Sequence, residues 1–483
     1  MDRPALGRCR SQAGRGFVTP LLRSPPFPGV APAVAAISHP AARPVADDPG
    51  RLEALVASIA ATGVAGSFWR DQPAADAREA RLIAAIAAGD AGADGLAEAL
   101  LGPAYRDPFS GEAIAPEQAV AILGHWRAVI EANRGIRAAA GMAWWKRRAI
   151  ARFLWSGEPL AFVRSAAAAR AAAGQGAVAV WPSRAPAGLG EAGLPIVSVE
   201  DGFIRSIGLG SDLHPPFSIV VDRSGIHYDP SRPSDLETIL QTAEFTDDLL
   251  ARAGALAEAI VAGGISKYAV SGATAPRAAA DDDGRRVVLV PGQVEDDMSV
   301  RLGGAGIRSN VELLARARAA EPDARILFKP HPDVDAGHRP GRVPDAAILA
   351  HADEIVRGEA MPALLARVDA VHVLTSLTGF EALLRGLPVT THGQPFFAGW
   401  GLTTDLAGSV ARRTRRLTAM QLIAGVLILY PRYMDPVTGL PCPAEVLVRR
   451  FAEQARPSTT MLVRARRLQG RLVRAYRFRR QGT

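Results

Sequence analysis

Four clusters of reactive side chains fall just past short apolar runs in this sequence. Glu200-Asp201-Gly202-Phe203-Ile204-Arg205 follows Ile-Val-Ser-Val. Paired carboxylates at such a place can position an acceptor hydroxyl or move its proton. Gln293-Val294-Glu295-Asp296-Asp297 follows Val-Val-Leu-Val-Pro-Gly. Three consecutive acids repel one another unless all are solvated. By type, a carboxylate there serves as a nucleophile or a metal ligand. Lys329-Pro330-His331-Pro332 follows Arg-Ile-Leu-Phe. Its prolines lock an extended turn that offers a cation and an imidazole to a phosphate leaving group. Thr375-Ser376-Leu377-Thr378-Gly379-Phe380-Glu381 runs from an apolar stretch into a helix-like one. Free N–H groups at a helix start favour anions, and Glu381 on the next turn can accept from a ribose diol. Taken singly, each cluster has a plain structural explanation: an Asp-Gly turn, a solvated acidic loop, a packed histidine, a capped helix. Their common position after apolar runs argues for one site.

The elements that must hold them alternate. Ala177–Trp181, Ile196–Val199 and Ser218–Asp222 read as buried strands, the last in a hairpin with Ile226–Tyr228. Helices fit Pro233–Ala243 and Asp247–Ala262. An Ala/Pro/Asp stretch, Thr274–Arg285, reads as a linker. Beyond it a βαβα pattern runs through Val287–Val290, Ile326–Lys329, Val371–Thr375 and Pro388–Thr390. Short apolar strands alternating with helices predict parallel sheets covered on both faces. The expected fold is therefore α/β, with two lobes and a cleft between them. Ligands in such sheets lie beyond the strand C-termini, which is where all four clusters fall.

A repeat sets the domain layout. Tyr105-Arg-Asp107-Pro108-Phe-Ser-Gly111 recurs as Tyr433-Met-Asp435-Pro436-Val-Thr-Gly439, each followed by a proline and a helix-like stretch. Asp, Pro, Ser/Thr and Gly at this spacing are turn chemistry. The repeat predicts that 51–135 is the helical tail of a first module and that a second module follows. In that module 150–275 forms one lobe and 285–430 the other, and 431–483 forms a C-terminal helical segment and basic tail. Residues 1–50, rich in Ala, Pro and Arg without a period, are expected to be poorly ordered.

Composition narrows the function. The chain has 483 residues, 48% of them hydrophobic, and a formal charge of +8. From Val463 onward there are eight arginines and no acid; removing them from the 56 Lys+Arg leaves 48 bases against 48 acids. A neutral body with one basic tail argues against nucleic acid as a partner. Two cysteines, Cys9 and Cys442, rule out a disulfide framework and a Cys-based zinc site and suit a reducing compartment. No apolar run reaches the ~18 residues of a membrane span, and the N-terminus lacks the apolar core of a secretory signal.

With these residues in view, the sequence resembles the capsule polysaccharide β-Kdo transferases of the KpsC/LipB type. The stretches that carry the likeness are 200–237 (EDGFIRSIGLGSDLHPPFSIVVDRSGIHYDPSRPSDLE), 266–268 (SKY), 288–299 (VLVPGQVEDDMS), 327–334 (LFKPHPDV) and 374–405 (LTSLTGFEALLRGLPVTTHGQPFFAGWGLTTD). Members usually carry two glycosyltransferase modules in tandem. This chain resembles the second in full and, near 105–150, the end of the first. The first module's own EDGF, KPHP-like and GFEAL-like elements are absent. The resemblance implies a GT-B-like fold of two Rossmann-type lobes, a CMP-β-Kdo donor, retention of configuration, and an acceptor that is the growing Kdo linker on a glycerophospholipid. It implies Asp297 as the nucleophile, Glu200 and Asp201 in acid/base or acceptor-positioning roles, and no cofactor or metal. Lys329 and His331 would bind the CMP phosphate. Ser376 and Glu381 would contact phosphate and ribose, and Gln293 and Thr375 complete the nucleotide side. Arg205 is a partner for the Kdo carboxylate. Two other readings stay open: a CDP-glycerol-type glycerophosphotransferase, which shares the Lys-Pro-His-Pro and Ser/Thr-Glu features, and a non-catalytic remnant of a tandem enzyme.

The tail gives this reading a place in the cell. Leu462, Ala465, Leu468, Leu472, Ala475 and Tyr476 share a helical stripe among the arginines. Anionic lipid attracts such residues by ~1 kcal/mol per Arg. The expected location is cytoplasmic, peripheral on the inner membrane through this tail. Deleting 460–483 should weaken cosedimentation with anionic vesicles without changing transfer to a soluble acceptor. Unchanged cosedimentation would refute the anchor.

Overall fold

The computed structural model describes residues 20–40, 48–205, 215–266, 284–335, 337, 339 and 342–453. The basic tail and residues 206–214 and 267–283 lie outside them. So do most of the expected linker and Tyr268 of the SKY stretch. The chain divides into two compact units, with the boundary near residue 128.

The first unit holds helices Pro49–Thr62, Ala77–Ala88 and Leu96–Leu101 and a three-stranded sheet: β1 (Ser38–His39), β2 (Ala104–Arg106) and β3 (Ala113–Ile114). Asp48 and Asp76 cap the first two helices by accepting from Arg51 and Glu79 backbone N–H groups. Residues 20–40 depart from the expected disorder of 1–50. They contain helix Pro32–Ala35 and β1, and Leu21, Leu22 and Ile37 are buried. Their Ala/Pro composition hides the apolar side chains that bury them.

The second unit contains two sheets. The first takes β4 (Ile136–Ala140), β5 (Ala161–Val163), β6 (Ala177–Val180), β7 (Ile196–Asp201) and β8 (Ser218–Asp222). The second takes β9 (Val287–Pro291), β10 (Arg325–Lys329), β11 (Glu354–Ile355), β12 (Ala370–Val373), β13 (Val389–Thr391) and β14 (Thr404–Asp405). The chain then returns to the first sheet through β15 (Pro431–Met434) and β16 (Pro441–Cys442), and ends the described region in helix Ala444–Ala452.

The second sheet is parallel throughout, with order β11-β10-β9-β12-β13-β14. Strand order reverses between β9 and β12, the doubly wound arrangement that opens a crevice beyond those two strand ends. Its core joins Val288, Val290, Ile326 and Phe328 to Leu313, Leu314 and Ala317 of helix Asn310–Ala320.

The first sheet differs from expectation in three ways. It starts at β4, well before residue 150. Its order is β16-β15-β8-β7-β6-β4-β5, with β8, β15 and β16 antiparallel, so it is mixed. And β8 pairs with β7 and β15, whereas Ile226–Tyr228 forms a turn and not a hairpin strand. The segment after 431 therefore completes this lobe. Both faces are covered: Ala138, Ala140, Val178 and Val180 pack one way, and Ala139, Ala179, Val197, Val199 and Ile219 the other.

The repeated heptads build the same corner in both units. Tyr105 donates its hydroxyl to the Leu100 carbonyl at 2.7 Å, and Tyr433 to that of Leu427 at 2.6 Å. Asp107 and Asp435 each accept from the N–H two residues on, at 2.7 and 3.1 Å. Gly111 and Gly439 close the turns with φ of 77° and 73°, a region that favours glycine. Tyr105 pairs with Ser38 across β1–β2, as Tyr433 pairs with Ser218 across β8–β15.

Two histidines are buried in the second sheet. His372 and His392 are 1% and 3% exposed, and Nδ1 of one lies 3.1 Å from Nε2 of the other. Burial pushes both pKa values down to about 4, with Arg286 adding to the effect at His372 and His372 and Arg316 at His392. Glu321 Oε1 lies 3.5 Å from His372 Nε2 and does not reverse it. Such a short N···N contact needs one donor and one acceptor, so it cannot hold two imidazolium ions. The unfolded chain takes up these protons near pH 6.5, and stability falls as pH drops from about 6.5 toward 4. Urea midpoints should decline across this window, and His372→Gln should flatten the decline; an unaltered slope would refute the assignment.

Candidate active site between two sheet ends

On the first lobe the site begins where β4, β6 and β7 end. Asp201, the last residue of β7, accepts two hydrogen bonds from Lys146 Nζ at 2.9 and 3.0 Å and one from Arg205 Nε at 2.6 Å. Lys146 comes from the loop after β4, and its ammonium lies 3.4 Å from the centroid of the Trp181 ring at the end of β6. The side chains of Lys146 and Arg205 are only 8% and 2% exposed. Burial alone would raise the Asp201 pKa, but Arg205 and Lys146 outweigh it and hold the carboxyl well below its usual range. Asp201 is therefore a fixed anion at any working pH and a poor proton donor. Arg205 is buried beside it. Glu200 reaches back to the Asp201 N–H at 3.1 Å and stays partly exposed. Gly202 must lack a side chain because a Cβ there would collide with Ser218 of β8.

On the second lobe the acids of Gln293–Asp297 separate. Glu295 Oε1 accepts from the backbone N–H of Asn310 at 2.8 Å. Asp296 pairs with Arg339 at 2.7 Å. Asp297 is exposed at the start of helix Met298–Gly303 and makes no capping bond to it. Repulsion is thus relieved by sending three neighbours to three environments. Gln293 bridges the crevice between β9 and β12: its Nε2 donates to Thr375 Oγ1 at 2.9 Å and its Oε1 accepts from the Thr375 N–H at 2.8 Å. Gln293 and Thr375 therefore shape the crevice floor.

The other second-lobe residues lie around that floor with partners of their own. Lys329 ends β10 and donates to the Glu359 carbonyl; burial lowers its pKa against the opposing pull of Glu359 and Asp335. His331 Nδ1 accepts from the Asp333 N–H at 3.1 Å. Lys329 and His331 line adjoining depressions that share Pro330, Asp335 and Arg357. Ser376 and Thr378 hydroxyls lie 3.1 Å apart, and Glu381 is 8% exposed in helix Thr378–Leu383.

An aromatic seam holds the lobes together. Phe203 of the first lies with its ring centroid 4.8 Å from Phe396 and 6.4 Å from Phe380 of the second. Glu237 accepts from Arg412 at 2.6 Å and from Arg413 at 3.1 Å, and Arg413 also donates to the Pro395 and Ala398 carbonyls. Burial, Glu200 and Asp297 all oppose ionisation of Tyr228, so both acids lie near its hydroxyl. Sequence reasoning missed Lys146, Tyr228 and Asn310. Lys146 was detectable by the same strand-end rule, but Ile-Arg-Ala-Ala-Ala does not read as a strand.

A parallel Rossmann-ordered sheet and a mixed α/β sheet, meeting with reactive side chains at their strand ends, define a two-lobed α/β protein of the GT-B-like class. A family model described as "Capsule polysaccharide biosynthesis protein" matches residues 177–433. The chain belongs to that family. It is 39% identical over 362 residues to the capsule polysaccharide modification protein LipA of Neisseria meningitidis serogroup A, covering 72% of this chain and 50% of that one. It is 43% identical over 243 residues to the lipopolysaccharide-processing protein LpsZ of Rhizobium meliloti, covering 50% and 54%. The chain spans about half the length of these curated relatives. Among solved structures it is similar to Thermosulfurimonas dismutans KpsC, beta Kdo 2,7 transferase, at 34% identity and TM-score 0.54, covering 67% of this chain and 100% of that one. It is also similar to the beta Kdo 2,4 transferase of the same KpsC, at 32% identity and TM-score 0.56, covering 65% and 98%.

Asp201→Asn would leave Lys146 and Arg205 buried without their counter-charge. We expect a loss of about 3 kcal/mol in urea unfolding, against less than about 1 kcal/mol for Glu200→Gln. Equal effects would refute the central role of Asp201.

Proposed function

We propose that this chain is a retaining glycosyltransferase that moves Kdo from CMP-β-Kdo onto a growing β-Kdo linker carried by a glycerophospholipid. The observation that carries the reading is the exposed Asp297 carboxylate at the start of helix Met298–Gly303, close to the same Tyr228 that Glu200 acts on from the other lobe. Similarity to two KpsC Kdo transferases supports the substrate class.

The residues divide the work as follows. The Asp297 carboxylate attacks the anomeric carbon of Kdo, the bond from that carbon to the phosphate oxygen breaks, and CMP leaves as an anion. Lys329, His331, Ser376 and the crevice beyond β9 and β12 receive its phosphate, and Glu381 its ribose. An acceptor hydroxyl then attacks the same carbon, Glu200 takes the hydroxyl proton, and Asp297 is released. Two inversions give net retention. Asp201 takes no proton in this scheme: with Lys146 and Arg205 it fixes the β7 end that presents Glu200. This revises two expected roles, since Asp201 becomes a positioning group and Arg205 serves Asp201 in place of the Kdo carboxylate. The repeated corner supports reading the first unit as the closing part of another module. The basic tail supports work at the cytoplasmic face of the inner membrane.

Asp297→Ala should lower transfer from in situ CMP-Kdo by at least about 10³-fold and leave CMP affinity within about twofold. Glu200→Gln should cut turnover by about 10²-fold or more. Product anomers are read by NMR. Near-normal turnover by the Asp297 variant, or an inverted product, would sink the mechanism.

A further inference from the structure

The turn after β8, Ile226-His227-Tyr228-Asp229, has no part in the mechanism so far. It is closed by the Asp229 N–H donating to the Ile226 carbonyl at 3.0 Å. The His227 ring packs 5.0 Å from Phe203 and 5.7 Å from Phe396, so the turn is pinned into the seam from both lobes. The Tyr228 carbonyl lies 3.4 Å from where a Cβ on Gly303 would stand, at the far end of the helix that Asp297 starts. The backbone of Tyr228 is therefore fixed against one lobe while its chain belongs to the other.

Its hydroxyl is buried and has no hydrogen-bond partner among the described residues. Leaving such a group unpaired is costly, and phenylalanine would fill the same space without that cost. Nearby Glu200, Asp297 and Asp229 are all acids, and none of them accepts its proton. Burial and this negative surround keep the phenol protonated, so it can act only as a neutral donor. A neutral donor beside these carboxylates suits a ligand oxygen that would be repelled if only the carboxylates were there.

We infer that Tyr228 is a ligand-contacting residue, its hydroxyl reserved for an oxygen of an anionic sugar bound beside Glu200 and Asp297. The inference rests on the proposed transfer reaction and adds to it a neutral contact that holds the sugar while the carboxylates do the chemistry. Tyr228 would discriminate the sugar and not the nucleotide, which binds at the second-lobe crevice.

The test compares wild type with Tyr228→Phe in the full chain. Calorimetry reads the affinity for free Kdo in the presence of CMP, and for CMP alone. A transfer assay with in situ CMP-Kdo reads turnover, and thermal unfolding reads stability. Expected are a tenfold or greater loss of Kdo affinity and of kcat/KM, unchanged CMP affinity, and a melting temperature equal to wild type or higher. Unchanged Kdo affinity would overturn the inference, as would a lowered melting temperature with CMP affinity falling in step, which marks a structural hydroxyl. A wild-type chain that binds no Kdo overturns it too. A wild-type chain that binds Kdo but transfers none sinks only the transfer reading.

Discussion

Asp201, Lys146 and Arg205 meet where three parallel strands of the first lobe end. Desolvating two cations and a carboxylate is costly, and a cluster of this kind persists only if its geometry is good. Here the carboxylate accepts three charge-assisted bonds of 2.6–3.0 Å, and an indole face covers the ammonium. The loop after β4, the end of β6 and the Glu200–Arg205 turn are tied together as a result. Glu200, next to that carboxylate at the end of β7, stays partly exposed. Phe203, two residues past the buried carboxylate, is aimed into the seam with Phe396 and Phe380.

The seam explains why chemistry-bearing residues and aromatic residues share the same short motifs. Phe203 follows Asp201, Phe380 precedes Glu381, and Phe396 lies three residues beyond Gly393. A two-lobed protein needs its lobes registered where substrates meet, and ring packing gives that register without adding charge. The ionic part of the join, Glu237 with Arg412 and Arg413, uses its remaining donors on backbone carbonyls, among them those of Pro395 and Ala398 on either side of Phe396.

The repeated corner shows how much chain a sheet can accept as an insertion. Tyr105 follows Ser38 by 67 residues, and Tyr433 follows Ser218 by 215, yet both pairs sit at equivalent places in antiparallel ladders. The longer interval contains the entire six-stranded sheet. A corner made from a tyrosine hydroxyl, an aspartate-capped turn and a left-handed glycine is local, so it forms whatever lies between the strands it joins.

Apolar runs of strand length and turn residues are local signals, so the α/β class, the second-lobe strands and the placement of four motifs at strand ends were legible in the residues alone. So was the repeated corner, which depends on a few adjacent residues. Only the tertiary structure decided that β15 and β16 return to the first sheet, since pairing across more than 200 residues leaves no local trace. Only it separated Glu200 from Asp201, two adjacent acids that sequence treats alike. The difference comes from Lys146, 55 residues away, which follows an alanine-rich strand that sequence does not reveal as one. The surroundings of Tyr228 and Gln293 came the same way, from partners and neighbours contributed by other strands: burial removes the water from a hydroxyl, and an amide bridges when a second strand end comes within reach.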